Sequence, residues 1–355
     1  MSEEIRLMKG NDAIGEAAIR AGCDAYFGYP ITPQNELTAY MAAGMLPLGR
    51  TFIQAESEVA AVNMVYGAAS AGARAMTSSS SPGVSLKQEG ISYLCGADLP
   101  AVVVNVSRAG PGLGGITPAQ GDYFQATRGG GHGDYHTIVL APKSVQESAD
   151  LTFEAFDLTD KYRIPVLILV DGLIGQMMET VRFPAPKDRS TLLPKPWAVG
   201  HQARDGRAPN HVSSMNLEPE NLEQAVYARE RRYDQVKKEL CRWEEMQVED
   251  ADLVIVAYGS SARISSASVQ AARKKGLKIG LFRPITLWPF PYERLEALAK
   301  PGRKFLAVEM SMGQLVEDVR LAVNGKVPVA HYGRVGGKIH NEAEVLAAAE
   351  RMLGA

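Results

Sequence analysis

Short apolar runs alternate with longer amphipathic ones through the first half of the chain. The runs at 25–29, 51–54, 74–77, 101–106, 138–141 and 166–170 read as strands. Helical periodicity falls between and around them, at 10–21, 34–45, 56–71, 83–95 and 144–162. Strands that take turns with helices predict a doubly wound, mainly parallel sheet of the α/β class. Asp98-Leu99-Pro100 ahead of Ala-Val-Val-Val-Asn-Val at 101–106 reads as a helix stop, then a strand buried on both faces. From 182 to about 216 the chain is rich in proline and charge and irregular in spacing, as a linker is. A long charged helix over 218–247 follows, with Leu222, Val226, Tyr233, Val236, Leu240 and Trp243 on one stripe, suited to docking on its own domain or on a partner. A second α/β unit closes the chain, with strands at 253–258, 278–282, 304–308 and 327–331 and helices at 261–275, 291–298, 313–323 and 342–352. The expected division is thus a first domain over 1–184, a helical linker over 185–250 and a second domain over 251–355.

With 355 residues the chain can bury two cores. A net charge of −2 without a basic block argues against nucleic acid, and no apolar run has the length of a membrane span. The three cysteines, Cys23, Cys95 and Cys241, are too widely spaced for a disulfide framework or for a self-contained zinc or iron–sulfur site. The first residues lack the pattern of a signal peptide, so the expected compartment is the cytoplasm.

Phe-Gly-Tyr-Pro-Ile-Thr-Pro at 27–33 ends a strand with two prolines, each of which keeps the preceding residue extended. Pro33 suits a first helical position and Thr32 the N-cap before it. The same geometry places a hydroxyl and free N–H groups beyond the carboxyl end of a strand, where open α/β sheets bind ligands. Thr32 is therefore either a plain cap or part of a site. Glu58 stacks at helical spacing with Val62, Val65 and Ala69, whereas Glu56 suits a solvated position. Glu58 either edges that stripe and reaches water, or is a desolvated acid with a raised pKa kept for proton work or for holding a heterocycle.

Two further loops follow strands: Thr-Ser-Ser-Ser-Ser-Pro-Gly at 77–83, and the glycine-rich loop of 107–118 that opens with Ser107-Arg108. The first offers hydroxyls and close backbone approach or is a plain serine-rich turn. In the second, Arg108 is a fork for a carboxylate or phosphate, or a surface arginine. His132, Asp134 and His136 alternate in a glycine-rich segment but have no fourth ligand nearby, so a loop packed by its own polar groups is expected and no metal site. The strand exits at 258–261 and 332–337 read as turns.

Taken in order, Tyr-Pro-Ile-Thr-Pro at 29–33, Ala-Glu-Ser-Glu-Val-Ala-Ala at 55–61, Gly-Ala-Ala-Ser-Ala-Gly-Ala-Arg at 67–74, the serine-rich Pro82-Gly83 loop, Arg-Ala-Gly-Pro-Gly at 108–112 and Ser-Val-Gln-Glu at 144–147 resemble the α subunit of the 2-oxoacid:ferredoxin oxidoreductases. These are thiamine-diphosphate enzymes, and the 2-oxoisovalerate (branched-chain, 3-methyl-2-oxobutanoate) type is the nearest branch. The resemblance covers residues 5–184 most closely and implies a pyrimidine-type thiamine-diphosphate-binding domain there. It implies a transketolase C-terminal-like domain in the second unit.

Position by position, the resemblance gives Glu58 the hydrogen bond to N1′ of the aminopyrimidine, which favours the imino tautomer and hence proton removal from the reactive carbon. It gives Tyr29 and Pro30 to the cofactor, and Thr32, Arg108 and Thr117 to the oxoacid. The loop between Arg108 and Thr117 departs from the 2-oxoglutarate pattern, and its Leu113 and Ile116 suit a branched aliphatic side chain. No Gly-Asp-Gly followed by a distant Asn is present to bind Mg²⁺ and diphosphate; Val170-Asp171-Gly172 and Arg204-Asp205-Gly206 are partial look-alikes. The family pattern then assigns diphosphate, Mg²⁺ and a [4Fe-4S] cluster to a β subunit, beside γ and ferredoxin-like δ subunits, with ferredoxin taking the electrons and coenzyme A the acyl group. The alternatives are the same subunit serving 2-oxoglutarate or pyruvate, and a non-catalytic α/β scaffold.

Overall fold

The computed structural model describes residues 4–200 and 208–354. In the first unit, β2 (Ala25–Gly28), β3 (Thr51–Gln54), β4 (Ala75–Ser79), β5 (Ala101–Ser107), β6 (Ile138–Leu140) and β7 (Val166–Asp171) form a parallel sheet. The helices between and before them are α1 (Gly10–Arg20), α2 (Asn35–Met45), α3 (Glu58–Ser70), α4 (Ser81–Gly96), α5 (Tyr123–Thr127) and α6 (Val145–Tyr162). The parallel, doubly wound class follows from strands buried on both faces, and all seven residues of β5 are buried.

Two strands that apolar runs do not announce form a separate ribbon. β1 (Glu4–Lys9) pairs antiparallel with β8 (Met178–Phe183), and a short α7 (Gly172–Gln176) leads into it. The stretch read as linker from 182 onward thus begins inside a strand. Only one face of the ribbon packs: Met8, Val181 and Phe183 are buried with Ala13, Ala17 and Val145, whereas Ile5, Leu7 and Met178 are exposed.

The long helix α8 (Pro219–Leu240) ends earlier than its stripe suggests. Cys241 turns extended, and Trp243 belongs to β9 (Trp243–Met246), antiparallel to β11 (Ile279–Pro284). The second sheet runs in the order β14-β13-β10-β11-β9, with β10 (Leu253–Val256), β13 (Lys304–Glu309) and β14 (Val329–Gly333) parallel to β11. Around it lie α9 (Gly259–Lys274), α10 (Tyr292–Leu298), α11 (Leu315–Val323) and α12 (Glu342–Leu353).

The second unit also lends a strand to the first. β12 (Thr286–Trp288) pairs with β6, so the first sheet runs β12-β6-β7-β5-β4-β2-β3. Buried charges tie the seam. Arg283, 1% exposed, donates to both carboxylate oxygens of Glu147, at 2.8 and 2.5 Å. Asp171 caps two helices: it accepts from the N–H groups of Leu173 and Ile174 in α7, and from the N–H and hydroxyl of Ser260 in α9. The look-alike at Asp171 is thereby explained as a helix cap; the one at 204–206 lies outside the described residues. One apolar cluster runs from Ile14 and Val104 through Tyr233 to Phe282 and Phe305, across both units. No helix among the described residues is long and apolar enough to cross a membrane.

Candidate functional site

Four parallel neighbours, β3, β2, β4 and β5, send their carboxyl ends to one edge. Beyond those ends lie, in turn, Glu58, Tyr29 to Thr32, the serine loop and Arg108. Sheet topology alone therefore gathers stretches that are scattered over eighty residues of sequence.

The turn after β2 differs from the expected cap. The Gln34 N–H donates to the Ile31 carbonyl at 3.0 Å, and the helix begins at Asn35 with no side chain capping it. Thr32 is not the N-cap and Pro33 is not the first helical residue. The Pro33 carbonyl instead accepts from the side-chain amides of Asn11 (2.7 Å) and Gln176 (2.9 Å), so the turn is closed by other elements before the helix starts. The Thr32 hydroxyl takes a 3.3 Å hydrogen bond from Asn35. Tyr29, 36% exposed, and the exposed Pro30 stand at the rim. Beneath them Gln34 accepts from the Ser78 hydroxyl at 2.5 Å and donates to the Tyr29 carbonyl at 3.2 Å.

Glu58 opens α3. Ser57 is the true cap there, its hydroxyl accepting from the Ala60 N–H at 3.1 Å, so the helix starts two residues later than its apolar stripe implies. Glu56 is exposed, whereas Glu58 is 6% exposed and lies in line with buried Val62, Val65 and Ala69. Among the described residues no group donates a hydrogen bond to its carboxylate. The first turn of α4 closes over it: a Cβ built on Gly83 would lie 2.6 Å from Glu58 Oε1 and 2.1 Å from the Ser79 hydroxyl. That hydroxyl and that of Ser80 are buried and also lack partners.

Arg108 and Thr32 are joined directly. Nη1 of Arg108 donates to the Thr32 carbonyl at 2.9 Å and Nη2 to the Leu113 carbonyl at 3.2 Å, while its buried Nε has no partner among the described residues. Arg108 is anchored through Ser81, whose hydroxyl accepts its N–H at 2.9 Å and donates to Asp122 at 2.5 Å. Burial raises the Asp122 carboxyl pKa, against hydrogen bonds from Ser81 and Asn105. Thr117 closes the same loop, its carbonyl accepting from the Ala109 N–H at 2.9 Å. Its side chain, however, packs on the second unit, where a Cβ on Gly337 would fall 1.6 Å from its hydroxyl. Leu113 and Ile116 are 84% and 64% exposed.

The alternating His132, Asp134 and His136 do not converge. The His136 ring stacks on Trp288 at 4.5 Å and the His132 ring meets the edge of Tyr93. Among the described residues no three His, Cys, Asp or Glu side chains gather as metal ligands.

Two participants went unnoticed at the level of sequence: Asp122 and the fully buried Lys87, whose ammonium donates to the Glu58 carbonyl at 3.4 Å. The available signal was Gly83, Lys87 and Gly90 at i, i+4 and i+7, one helix face on which two glycines flank a cation.

Residues 16–250 match the model of the thiamine-diphosphate-binding region of pyruvate flavodoxin/ferredoxin oxidoreductases, and 251–345 that of core domain II of pyruvate:ferredoxin oxidoreductases. A ketoisovalerate oxidoreductase subunit VorB of Methanothermobacter thermautotrophicus is 50% identical, over 96% of either chain. The 2-oxoglutarate synthase subunit KorA of the same organism is 35% identical over 98% of either chain. Among solved structures, 2-oxoglutarate:ferredoxin oxidoreductase from Magnetococcus marinus, with 2-oxoglutarate, coenzyme A and succinyl-CoA bound, superposes with a TM-score of 0.85 at 26% identity. That alignment covers 98% of this chain and 65% of the other, so this chain is equivalent to about two thirds of the longer one. The chain belongs to the 2-oxoacid:ferredoxin oxidoreductase family, as an α-type subunit with a thiamine-diphosphate-binding domain.

Proposed function

We propose that this subunit holds and activates the aminopyrimidine end of thiamine diphosphate and grips the oxoacid, within a complex that oxidatively decarboxylates ketoisovalerate to its acyl-CoA. The observation that carries the reading is Glu58, a buried acid with an unpartnered carboxylate at the carboxyl edge of a parallel sheet. An aminopyrimidine fits this setting: the Glu58 carboxyl group shares a hydrogen bond with N1′, and Gly83, lacking a side chain, leaves that carboxyl in a place a methyl group would claim. When bound, the cofactor supplies a nucleophilic carbon for the 2-oxo group and a sink for the electron pair that decarboxylation leaves.

The chain's own residues do the rest. The first turn of α4 closes over Glu58 and leaves it 6% exposed, which strengthens any hydrogen bond it makes. Glu58 holds or releases a proton at its carboxylate as the ring changes tautomer. Arg108, with an unpartnered Nε and two N–H groups tied to loop carbonyls, is set to take the substrate carboxylate, and Thr32 lies directly beside it. Thr117 contributes from the far end of the same loop. Tyr29 and Pro30 cover the ring from the rim.

A partner is required for the remainder. The sequence has no Mg²⁺–diphosphate motif and no set of cluster cysteines. Exposed Tyr29, Ile53, Val59 and Leu86 border the site, an apolar rim suited to a second chain. A β subunit carrying diphosphate, Mg²⁺ and a [4Fe-4S] cluster would complete the site. γ and ferredoxin-like δ subunits, ferredoxin and coenzyme A would complete the cytoplasmic reaction. Ketoisovalerate is favoured over 2-oxoglutarate by the higher identity to VorB and by an Arg108 loop that carries Leu113 and Ile116 but no second cation.

The test is substrate-dependent reduction of viologen by the reconstituted complex. Ketoisovalerate should give a higher kcat/KM than 2-oxoglutarate or pyruvate, and the reverse order would overturn the branch assignment. Glu58→Gln should lower kcat by about 10²- to 10⁴-fold. Unchanged turnover would reduce this chain to a scaffold.

A further inference from the structure

Lys87 is 0% exposed and lies between Gly83 and Gly90 on the face of α4 that packs on α3. Both glycines bring the helices close: a Cβ on Gly90 would lie 2.5 Å from Val62 Cγ1, as one on Gly83 would meet Glu58. The ammonium donates to the Glu58 backbone carbonyl yet makes no ion pair within 4.0 Å with the Glu58 carboxylate. It also stands at the amino-terminal end of α3, where the helix dipole repels a cation. A buried cation in that position needs a compensating anion. On α3 the titratable side chains are Glu58 and, two turns further along, Tyr66; β5, behind α4, has none; and on α4 itself Glu89 and Tyr93 bond each other at the surface, while Cys95, two turns beyond Lys87, is a thiol whose pKa burial raises. Among the described residues Glu58 is the one charged group that acts on Lys87.

We propose that Lys87 is a positioning residue that keeps Glu58 ionised while leaving both carboxylate oxygens free for the cofactor ring. The proposal rests on the assignment of Glu58 above. Burial pushes the Lys87 ammonium down to about 8, opposed by the Glu58 charge. A direct ion pair would have occupied the lone pairs the ring needs. A cation held on the backbone carbonyl of the same residue biases the charge without blocking it.

The experiment is thiamine diphosphate binding to the complex as a function of pH by titration calorimetry, beside the pH profile of kcat/KM, for wild type and Lys87→Met. Losing an opposite charge this close should move the acid-side midpoint of both curves up by about one pH unit or more. Midpoints that stay in place would overturn the proposal, even if activity falls. Should Lys87→Met not fold, thermal stability of the full chain against pH is compared for wild type and Glu58→Gln. The alkaline rise in stability that comes from Lys87 should begin at lower pH in Glu58→Gln, and an unmoved rise would refute the coupling. A fully active Glu58→Gln would instead sink the assignment of Glu58, a separate failure.

Discussion

Gly83 and Glu58 are packed so closely that the first position of a side chain on one is already claimed by the carboxylate of the other, 2.6 Å away. Real Cβ contacts do not fall below 3.0 Å, so Gly83→Ala must displace either Glu58 or the start of α4. The Ser79 hydroxyl at 2.1 Å blocks the other way out. The expected outcome is a loss of about 1–3 kcal/mol in stability, as for other overpacked sites, with a larger fall in turnover than that loss explains. Urea unfolding and dye reduction on the same preparation check it.

Arg108→Lys keeps the charge but loses the planar fork that spans the Thr32 and Leu113 carbonyls. Both loops loosen together. KM for the oxoacid should rise about tenfold, equivalent to ~1.4 kcal/mol of lost binding, with a smaller change in kcat. Steady-state kinetics separate the two.

His340, 3% exposed, shares a 2.9 Å hydrogen bond with the Ser261 hydroxyl. Burial pushes its imidazole pKa from 6.5 down to about 4. Between those values the unfolded chain binds a proton that the folded chain refuses. The contribution of neutral His340 is therefore complete above pH 6.5 and is lost as the pH falls through 4, about 3 kcal/mol in all. His340→Gln should flatten the acid side of the stability curve, read as the difference between the two proteins' unfolding free energies at pH 7 and pH 4.5.

Asp171 holds α7 of one unit and α9 of the other with a single carboxylate. Asp171→Ala leaves four donors without their acceptor at a buried seam. A loss of about 3 kcal/mol is expected from two caps and the stranded polar groups. Differential scanning calorimetry should show it, and a split of the single transition into two would mark the seam as the part that fails first.

Much of this arrangement was legible in the chain itself. Buried strands such as 101–106 carry an unbroken apolar run because both faces are covered, so the parallel α/β class needed no coordinates. Glu58 stood out because a carboxylate in line with Val62, Val65 and Ala69 breaks a helical stripe, and it is indeed buried. Ribbon and edge strands were not legible. β1, β8, β9 and β12 are short or packed on one side only, and their partners lie up to 179 residues away along the chain, as Phe183 does from Glu4. The start of α2 was misplaced for a similar reason: Asn11 and Gln176, both remote in sequence, take the Pro33 carbonyl and settle the turn.

Local pattern thus determined the class of fold and the loops that matter, and marked Glu58 as a carboxylate on an apolar stripe, since periodicity and turn chemistry act over a few neighbouring residues. Tertiary structure alone decided that Gly83 and Lys87 frame Glu58, that Thr32 meets Arg108 through a carbonyl, and that Asp171 caps a helix of the other unit. Those are contacts between elements, whose distances depend on how helices and sheets pack in three dimensions and leave no trace in the spacing of any one segment.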